Sequence, residues 1–390
     1  MGPESRLRIG FASSKTARLA AACALCLLGC LSAARADIEP AGSADDFVDR
    51  IGFGTHWGYS DTPYGTAYDR VKAMLGEMGV RHVRDGWQER EEDLYRALGI
   101  KTMMLFGPGT APQDAVNFLK QHLALVDMVE GPNEVDLFAT SANYKGKGFP
   151  EGPRLYTEEL YAALKADPIT APLSMIAPSV GQPDADRKLA PLHSFDYLVM
   201  HSYAGGSMPS ASLTGDINNP MMTAYSLLGI GANLKPFVVT ESGYHTALGS
   251  DVVLAGAQPG VSEKAQAKYL PRHFATYYNA GIRRTFTYEF VDEFPDYKAD
   301  EHEATNAEAC FGIIKRDMTP KPAYGALKNL IGLLGEKRWN VAAQRWEMLP
   351  GSAPKGKVFP GALDFTLGGD TKNVRHTLLW KADGDFYLLL

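Results

Sequence analysis

The chain has 390 residues, of which 45% are hydrophobic and 22% charged, with a formal net charge of −6. This is an ordinary globular composition with room for one large domain and a smaller one, and nothing in it points to disorder. The acidic balance argues against nucleic acid as a partner.

The first 36 residues read as an export signal. Arg6, Arg8, Lys15 and Arg18 precede the apolar run from Leu19 to Ala34, and Ala34-Arg35-Ala36 offers a small-residue cleavage site before Asp37. The run is short of the ~20 apolar residues that a spanning helix needs. Leu27-Leu28-Gly29-Cys30 also resembles a bacterial lipoprotein signal, which would cleave before Cys30 and attach lipid there, so a lipid anchor stays open beside simple cleavage. Without residues 1–36 the chain keeps 34 basic and 44 acidic side chains, a formal charge of −10. Cys23, Cys26 and Cys30 all fall in the signal. Only Cys310 remains, which excludes a disulfide framework despite the expected export. Nothing near Cys310 marks an activated thiolate, so it is expected as a buried thiol.

After an acidic lead-in (Asp45, Asp46, Asp49), residues 51–56 form the first expected strand. A helix over 64–78, a strand over 80–85, a helix over 88–98, a strand over 101–106 and a helix over 112–125 follow. The fourth strand is Val126-Asp-Met-Val-Glu130. It breaks at Gly131-Pro132 and delivers Asn133 and Glu134 just past its end. An amphipathic helix over 154–166 leads to strands over 173–178 and 195–200. A helix over 220–228, a strand over 236–241, a helix over 262–279, a strand over 285–289 and a closing helix over 322–334 complete the series.

Eight largely apolar strands alternating with about eight helices fit an α/β fold of the (β/α)8 TIM-barrel type better than a doubly wound sheet. No strand is followed by a glycine-rich phosphate fingerprint, which argues against a dinucleotide fold. The catalytic barrel is expected over 37–335. From Glu336 the pattern turns to β: residues 362–367 and 377–380 read as strands, and Ala382-Asp-Gly-Asp385 as a hairpin turn before residues 386–390. Residues 336–390 are therefore expected as a small C-terminal β-sandwich region. Because the chain stops in mid-strand on three leucines, that region is expected to be incomplete.

Catalytic groups of such barrels sit at the C-terminal ends of the strands. Glu134 follows the fourth strand and Glu241 ends the seventh, so both carboxylates belong to one face. Two carboxylates there are the minimum equipment for cleaving a glycosidic bond. One must stay ionised at the anomeric carbon, and the other must protonate the leaving oxygen. Arg84, at the end of the second strand, can hold one of them ionised if it points inward.

Asn133-Glu134 after the fourth strand, Glu241 ending the seventh and His201-Ser202-Tyr203 after the sixth resemble the clan A glycoside hydrolases, with family 39 the nearest member. The segments Phe290-Val-Asp292, Gly312-Ile-Ile314 and Thr319-Pro-Lys-Pro-Ala-Tyr324 resemble that family's eighth strand and closing helix, and the trailing β region resembles its sandwich. The resemblance implies a retaining hydrolase of oligo- or polysaccharides that needs no cofactor. Glu134 would be its acid/base and Glu241 its nucleophile. It further implies that Asn133 bonds the sugar 2-hydroxyl, that Tyr203 and Arg84 hold the nucleophile, and that His201, His56 and Trp57 line the sugar subsite. Tyr288 stands where these enzymes often carry a tryptophan, which leaves the sugar open.

Plainer readings stand beside these. A lone strand-end glutamate is more often a partner of arginine than a catalyst, and Glu130, inside its strand, is expected in that structural role. Glu289 and Asp292 are the competing acids. Trp57 and Trp87 could stack on a sugar or simply pack, while Trp339, Trp346 and Trp380 are expected in the core. The seven acidic residues from Asp292 to Glu308 match no calcium-loop spacing, so a solvated lid is expected there and no metal. The alternative to an enzyme is a carbohydrate-binding or polysaccharide-handling protein that keeps the barrel without turnover.

Overall fold

The computed structural model describes residues 37–182, 185–209, 235–250, 258–293, 302, 304–352 and 361–390. The expected export signal and the expected helix over 220–228 lie outside the described residues. The chain divides into two compact units, 1–40 with 362–374, and 41–361 with 375–390. In the smaller unit, strand β1 (Asp37–Pro40) pairs antiparallel with a strand at Ala362–Phe365.

The larger unit begins with β2 (Gly42–Ser43) and the helix Ala44–Asp49, which takes up the acidic lead-in. Ser43 caps that helix by accepting the Asp46 N–H at 3.1 Å, and Asp45 and Asp46 fall in its first turn, where the helix dipole favours negative charge. Eight parallel strands follow: β3 (Ile51–Gly54), β4 (His82–Asp85), β5 (Lys101–Leu105), β6 (Val126–Glu130), β7 (Met175–Ile176), β8 (Leu198–His201), β9 (Phe237–Glu241) and β10 (Thr285–Thr287). Their spatial order is β7-β6-β5-β4-β3-β10-β9-β8. A parallel bridge between Ile176 and Tyr197, with the Ala177 N–H donating to the Tyr197 carbonyl at 3.0 Å, joins the two ends. The sheet is thus a closed (β/α)8 barrel.

The helices Tyr68–Met78, Arg90–Leu98, Pro112–His122, Glu151–Ala166, Glu263–Asn279 and Pro322–Leu334 cover its outside. Each presents a buried stripe to the sheet, such as Val71, Met74, Leu75 and Met78 on the first. Two of them end on a left-handed glycine, Gly79 at φ 81° and Gly99 at φ 69°, a conformation that spares the chain a Cβ clash as it turns back into the next strand. The N-terminal end of the barrel is tied by a polar cluster. Arg284, 1% exposed, donates to Asp49 at 3.0 Å, to Asp127 and to His82 Nδ1 at 3.0 Å, while the far side of the His82 ring bonds Asp49 at 3.1 Å.

Beyond the barrel, β11 (Lys337–Asn340) and β12 (Arg345–Met348) form a hairpin that the sequence pattern did not announce. The Ala362–Phe365 strand of the smaller unit is β13. Strands β14 (Thr377–Trp380) and β15 (Phe386–Leu389) pair antiparallel, and β2 adds to β14 in parallel. The C-terminal region is therefore β, in sheets of two and three strands. Trp380 is buried as expected, but Trp339 and Trp346 are only half-buried. Trp339 donates its indole N–H to the Arg96 carbonyl at 3.2 Å, and Trp346 lies under the Arg81 guanidinium at 4.9 Å.

Candidate active site

The second, fourth, fifth, sixth and seventh barrel strands bring their C-terminal ends to one point. Arg84 leaves β4 on the inner face, since its alternate neighbour Val83 packs outward among core side chains. Its guanidinium is almost fully enclosed and makes four bonds. Nε and Nη2 grip the two oxygens of Glu130, Nη2 also donates to Asn133 Oδ1 at 2.6 Å, and Nη1 donates to Glu241 Oε1 at 2.7 Å. Glu130 is thus the structural partner of Arg84.

Tyr203, on the loop after β8, donates its hydroxyl to the other oxygen of Glu241 at 2.8 Å. The β8–β9 pairing shifts register between Met200 and His201, so that His201 stands opposite Glu241. The imidazole then lies between the two acids, with Nδ1 3.0 Å from Glu134 Oε1 and 3.6 Å from Glu241 Oε2, and Nε2 2.9 Å from Thr240 Oγ1. Burial alone would lower its pKa, but the Glu241 and Glu134 carboxylates outweigh it and raise it. Glu241 responds in the opposite sense. Burial would raise it, yet the His201 and Arg84 charges together with the Tyr203 and Arg84 hydrogen bonds bring it down to about 2. The nearest oxygens of Glu134 and Glu241 lie within 4.8 Å of each other.

Glu134 sits in a loop held to its neighbour. Its N–H donates to Ser179 Oγ at 3.0 Å, Ser179 Oγ–H donates to Asn133 Oδ1 at 3.2 Å, and Asp136 accepts the N–H groups of Gly181 and Gln182 at 2.8 Å each. The Glu134 backbone adopts φ 43°, a left-handed conformation that a glutamate rarely takes. Such strain persists where surrounding bonds over-determine it, and here it aims the carboxyl into the cleft. Because Arg84 and Ser179 occupy Asn133 Oδ1, the Asn133 amide presents Nδ2–H as a donor. Ser179 and Thr240 carry much of this positioning and were not singled out by the sequence pattern, which has no way to mark a hydroxyl that faces another strand's loop.

Across the cleft, His56 stacks on Tyr59 with ring centroids 4.8 Å apart and meets Tyr288 edge-on at 5.7 Å. Its Nδ1 bonds Glu293 and lies 3.6 Å from Glu289 Oε2. Burial, then the Glu293 charge, push the Glu289 carboxyl well above the usual range. Tyr288 packs edge-on against Phe311 at 5.2 Å. Glu308, missed in the sequence, is raised to about 7, first by burial and then by the charges of Glu241, Glu134 and Glu293.

The structure corrects several expectations. Trp57 is 2% exposed and wedged edge-on between Tyr64 and Tyr68, so its indole is core and has no face open to a sugar. Trp87 packs on Phe118 and His122. The acidic stretch after β10 does not begin as a solvated lid, since Asp292 and Glu293 are fully buried. Asp292 pairs with Lys321 Nζ at 2.9 Å, which commits it to a structural role. Residues 294–301 and 303 of that stretch lie outside the described residues. The Cys310 thiol is pushed up to about 12 by burial and the Asp292 charge, so it stays protonated at neutral pH.

No protein-family model matches the chain, and no curated protein matches it either. Solved structures do. The fold superposes on a family 39 glycoside hydrolase from Bacteroides cellulosilyticus WH2 with a TM-score of 0.53 at 15% identity, over 77% of this chain and 66% of that one. It also superposes on a monomeric beta-xylosidase from Caulobacter crescentus CB15 with a TM-score of 0.51 at 16% identity, over 75% and 69% of the two chains. The likeness is one of fold. The chain spans about two thirds of the length of these structures. What the barrel can do is therefore argued from its own residues: a buried carboxylate held low faces a second carboxyl across an imidazole, in a cleft rimmed by aromatic rings.

Proposed function

We propose that the protein is an exported retaining glycoside hydrolase that cleaves O-glycosidic bonds in an oligo- or polysaccharide by double displacement. One observation carries this reading: the Glu134 and Glu241 carboxyl oxygens lie within 4.8 Å of each other while Arg84, His201 and Tyr203 keep Glu241 ionised. Retaining enzymes hold their two carboxyls about 5–5.5 Å apart. Inverting enzymes need about 6.5–9.5 Å to admit a water between acid and base.

In the first step a Glu241 oxygen attacks the anomeric carbon. The bond to the leaving oxygen breaks, and Glu134 delivers its proton to that oxygen. In the second, water attacks the same carbon, Glu134 takes the proton from it, and the ester to Glu241 is released. Asn133 Nδ2–H would donate to a hydroxyl next to the anomeric carbon, and Tyr288 and His56 would wall the subsite. Residues 1–36 would direct export, either by cleavage after Ala36 or by lipidation at Cys30. Among the described residues no helix is long and apolar enough to cross a membrane.

The test is covalent labelling. Incubation with 2-deoxy-2-fluoro glycosides bearing an activated leaving group, followed by peptide mass spectrometry, should place one glycosyl mass on the peptide containing Glu241. Stable sugar binding with no adduct and no turnover across a panel of glycans would favour a non-catalytic carbohydrate-binding protein instead.

A further inference from the structure

Next to the proposed catalytic pair lies a second group of one histidine and two carboxylates whose Nδ1 and carboxyl oxygens take no part in the proposed hydrolytic steps. His56 Nδ1 and one oxygen each from Glu289 and Glu293 lie within 4.8 Å of one another. Both carboxylates are fully buried, whereas the His56 side chain is 24% exposed. Among the described residues, neither oxygen of Glu289 nor Glu293 Oε2 has a hydrogen-bond partner. A buried carboxylate left so costs the full desolvation of its charge, and a protonated one would still need an acceptor for its O–H.

Among the described residues no lysine or arginine pairs with the Glu289 or Glu293 carboxylate, and the countercharge to both is the His56 ring, which they draw toward its protonated form. Arg316 spends its two terminal nitrogens on the backbone carbonyls of Glu293 and Asp61. The neighbouring Glu134–His201–Glu241 group has the same inventory of donors, but Arg84, Tyr203 and Thr240 satisfy it.

We propose that His56, Glu289 and Glu293 form a binding site for one divalent transition-metal cation, of the Zn2+ or Mn2+ class. Two carboxylates balance a double positive charge once the ion displaces the ring proton that they favour on His56, and an imidazole in the set favours such ions over Mg2+ and Ca2+. Donors around a four-coordinate ion bound at about 2.0–2.2 Å stand roughly 3.5 Å apart, close to the 3.6 Å between His56 Nδ1 and Glu289 Oε2. Glu293 stands nearer to His56 and would open as the ion enters. Bound there, the ion anchors the His56 and Tyr288 wall of the cleft without entering the hydrolytic steps.

The experiment reads metal rather than activity, so its failure is distinct from failure of the hydrolase reading. Purified protein is stripped with EDTA, dialysed against ZnCl2, MnCl2, CaCl2 or MgCl2, and assayed for metal content by mass spectrometry and for melting temperature. The expected result is one Zn2+ or Mn2+ per chain, with a melting temperature raised by roughly 3–5 °C at a hundredfold excess over Kd. Both should be lost in Glu293→Gln and in His56→Phe and kept in Glu241→Gln. The proposal is overturned if wild-type protein takes up neither ion, if only CaCl2 or MgCl2 acts, or if Glu241→Gln removes the ion while Glu293→Gln retains it. Uptake by wild type is a direct reading, so a variant that fails to fold leaves the proposal testable.

Discussion

Two clusters on one barrel face have the same parts, a histidine between two glutamates, and very different surroundings. In Glu134–His201–Glu241, a guanidinium fixed from β4 and a phenol from the loop after β8 take up the charge of Glu241, which falls to about 2. In His56–Glu289–Glu293, among the described residues, no lysine or arginine reaches the carboxylates, and burial and the Glu293 charge drive Glu289 the other way against the pull of His56. The contrast teaches that burial raises a carboxyl in both clusters and that a neighbouring fixed charge can reverse it. The neighbouring charge decides the direction, and a buried acid without one is left for a proton or an ion.

Experiments that remove the distinguishing parts should separate the clusters, beginning with the largest effect. Glu241→Gln should lower kcat on the order of 10⁴-fold or more in steady-state kinetics on any glycoside the protein turns over, because it deletes the proposed attacking oxygen. If near-normal rates survive, the nucleophile lies elsewhere. Arg84→Met would strip the countercharge from both Glu130 and Glu241 inside the barrel. A loss of about 3–5 kcal/mol in denaturant unfolding is expected, and a neutral outcome would mean that Arg84 does not compensate the carboxylates.

Replacing His201 by glutamine removes a positive charge while keeping a donor. We expect kcat to fall on the order of 10²-fold. The acid limb of the kcat profile should also move to higher pH, since Glu241 loses the charge that depresses it. An unmoved limb would assign that depression to Arg84 alone.

The smallest effect belongs to Glu308→Gln. Stability follows a defined sign. The Glu308 carboxyl is raised from 4.5 to about 7 in the folded chain, so folding disfavours its ionised form. Wild type should lose stability as pH rises from about 4.5 through 7, and the variant should lose less over that window. Parallel curves for the two proteins would mean that Glu308 is solvated as freely in the fold as out of it.

Much of the architecture was legible in the chain itself. Apolar runs such as Phe237-Val-Val-Thr-Glu241, alternating with amphipathic segments, imply a parallel sheet covered on its outer face, because only strands enclosed on both sides are apolar along their length. A carboxylate at the end of such a run belongs to the catalytic face of a barrel for the same reason, which is why Glu134 and Glu241 could be paired across 107 positions. The C-terminal hairpin β11–β12 was not legible: Lys337-Arg-Trp-Asn340 is half-solvated and carries no clean alternation. Trp57 was misread because an indole just past a strand end looks alike whether it faces a cleft or slips between two tyrosines.

What the sequence by itself determined is the periodic burial of strands and helices and, through it, the end of the barrel at which each acid emerges. Tertiary structure alone decided which acid would be ionised. Arg84 reaches Glu130, Asn133 and Glu241 only when β4, β6 and β9 surround one axis, and the register shift at His201 sets an imidazole between two carboxyls that lie 107 residues apart in the chain. Charge interactions depend on distance through space and on exclusion of water, and neither is written in the order of the residues.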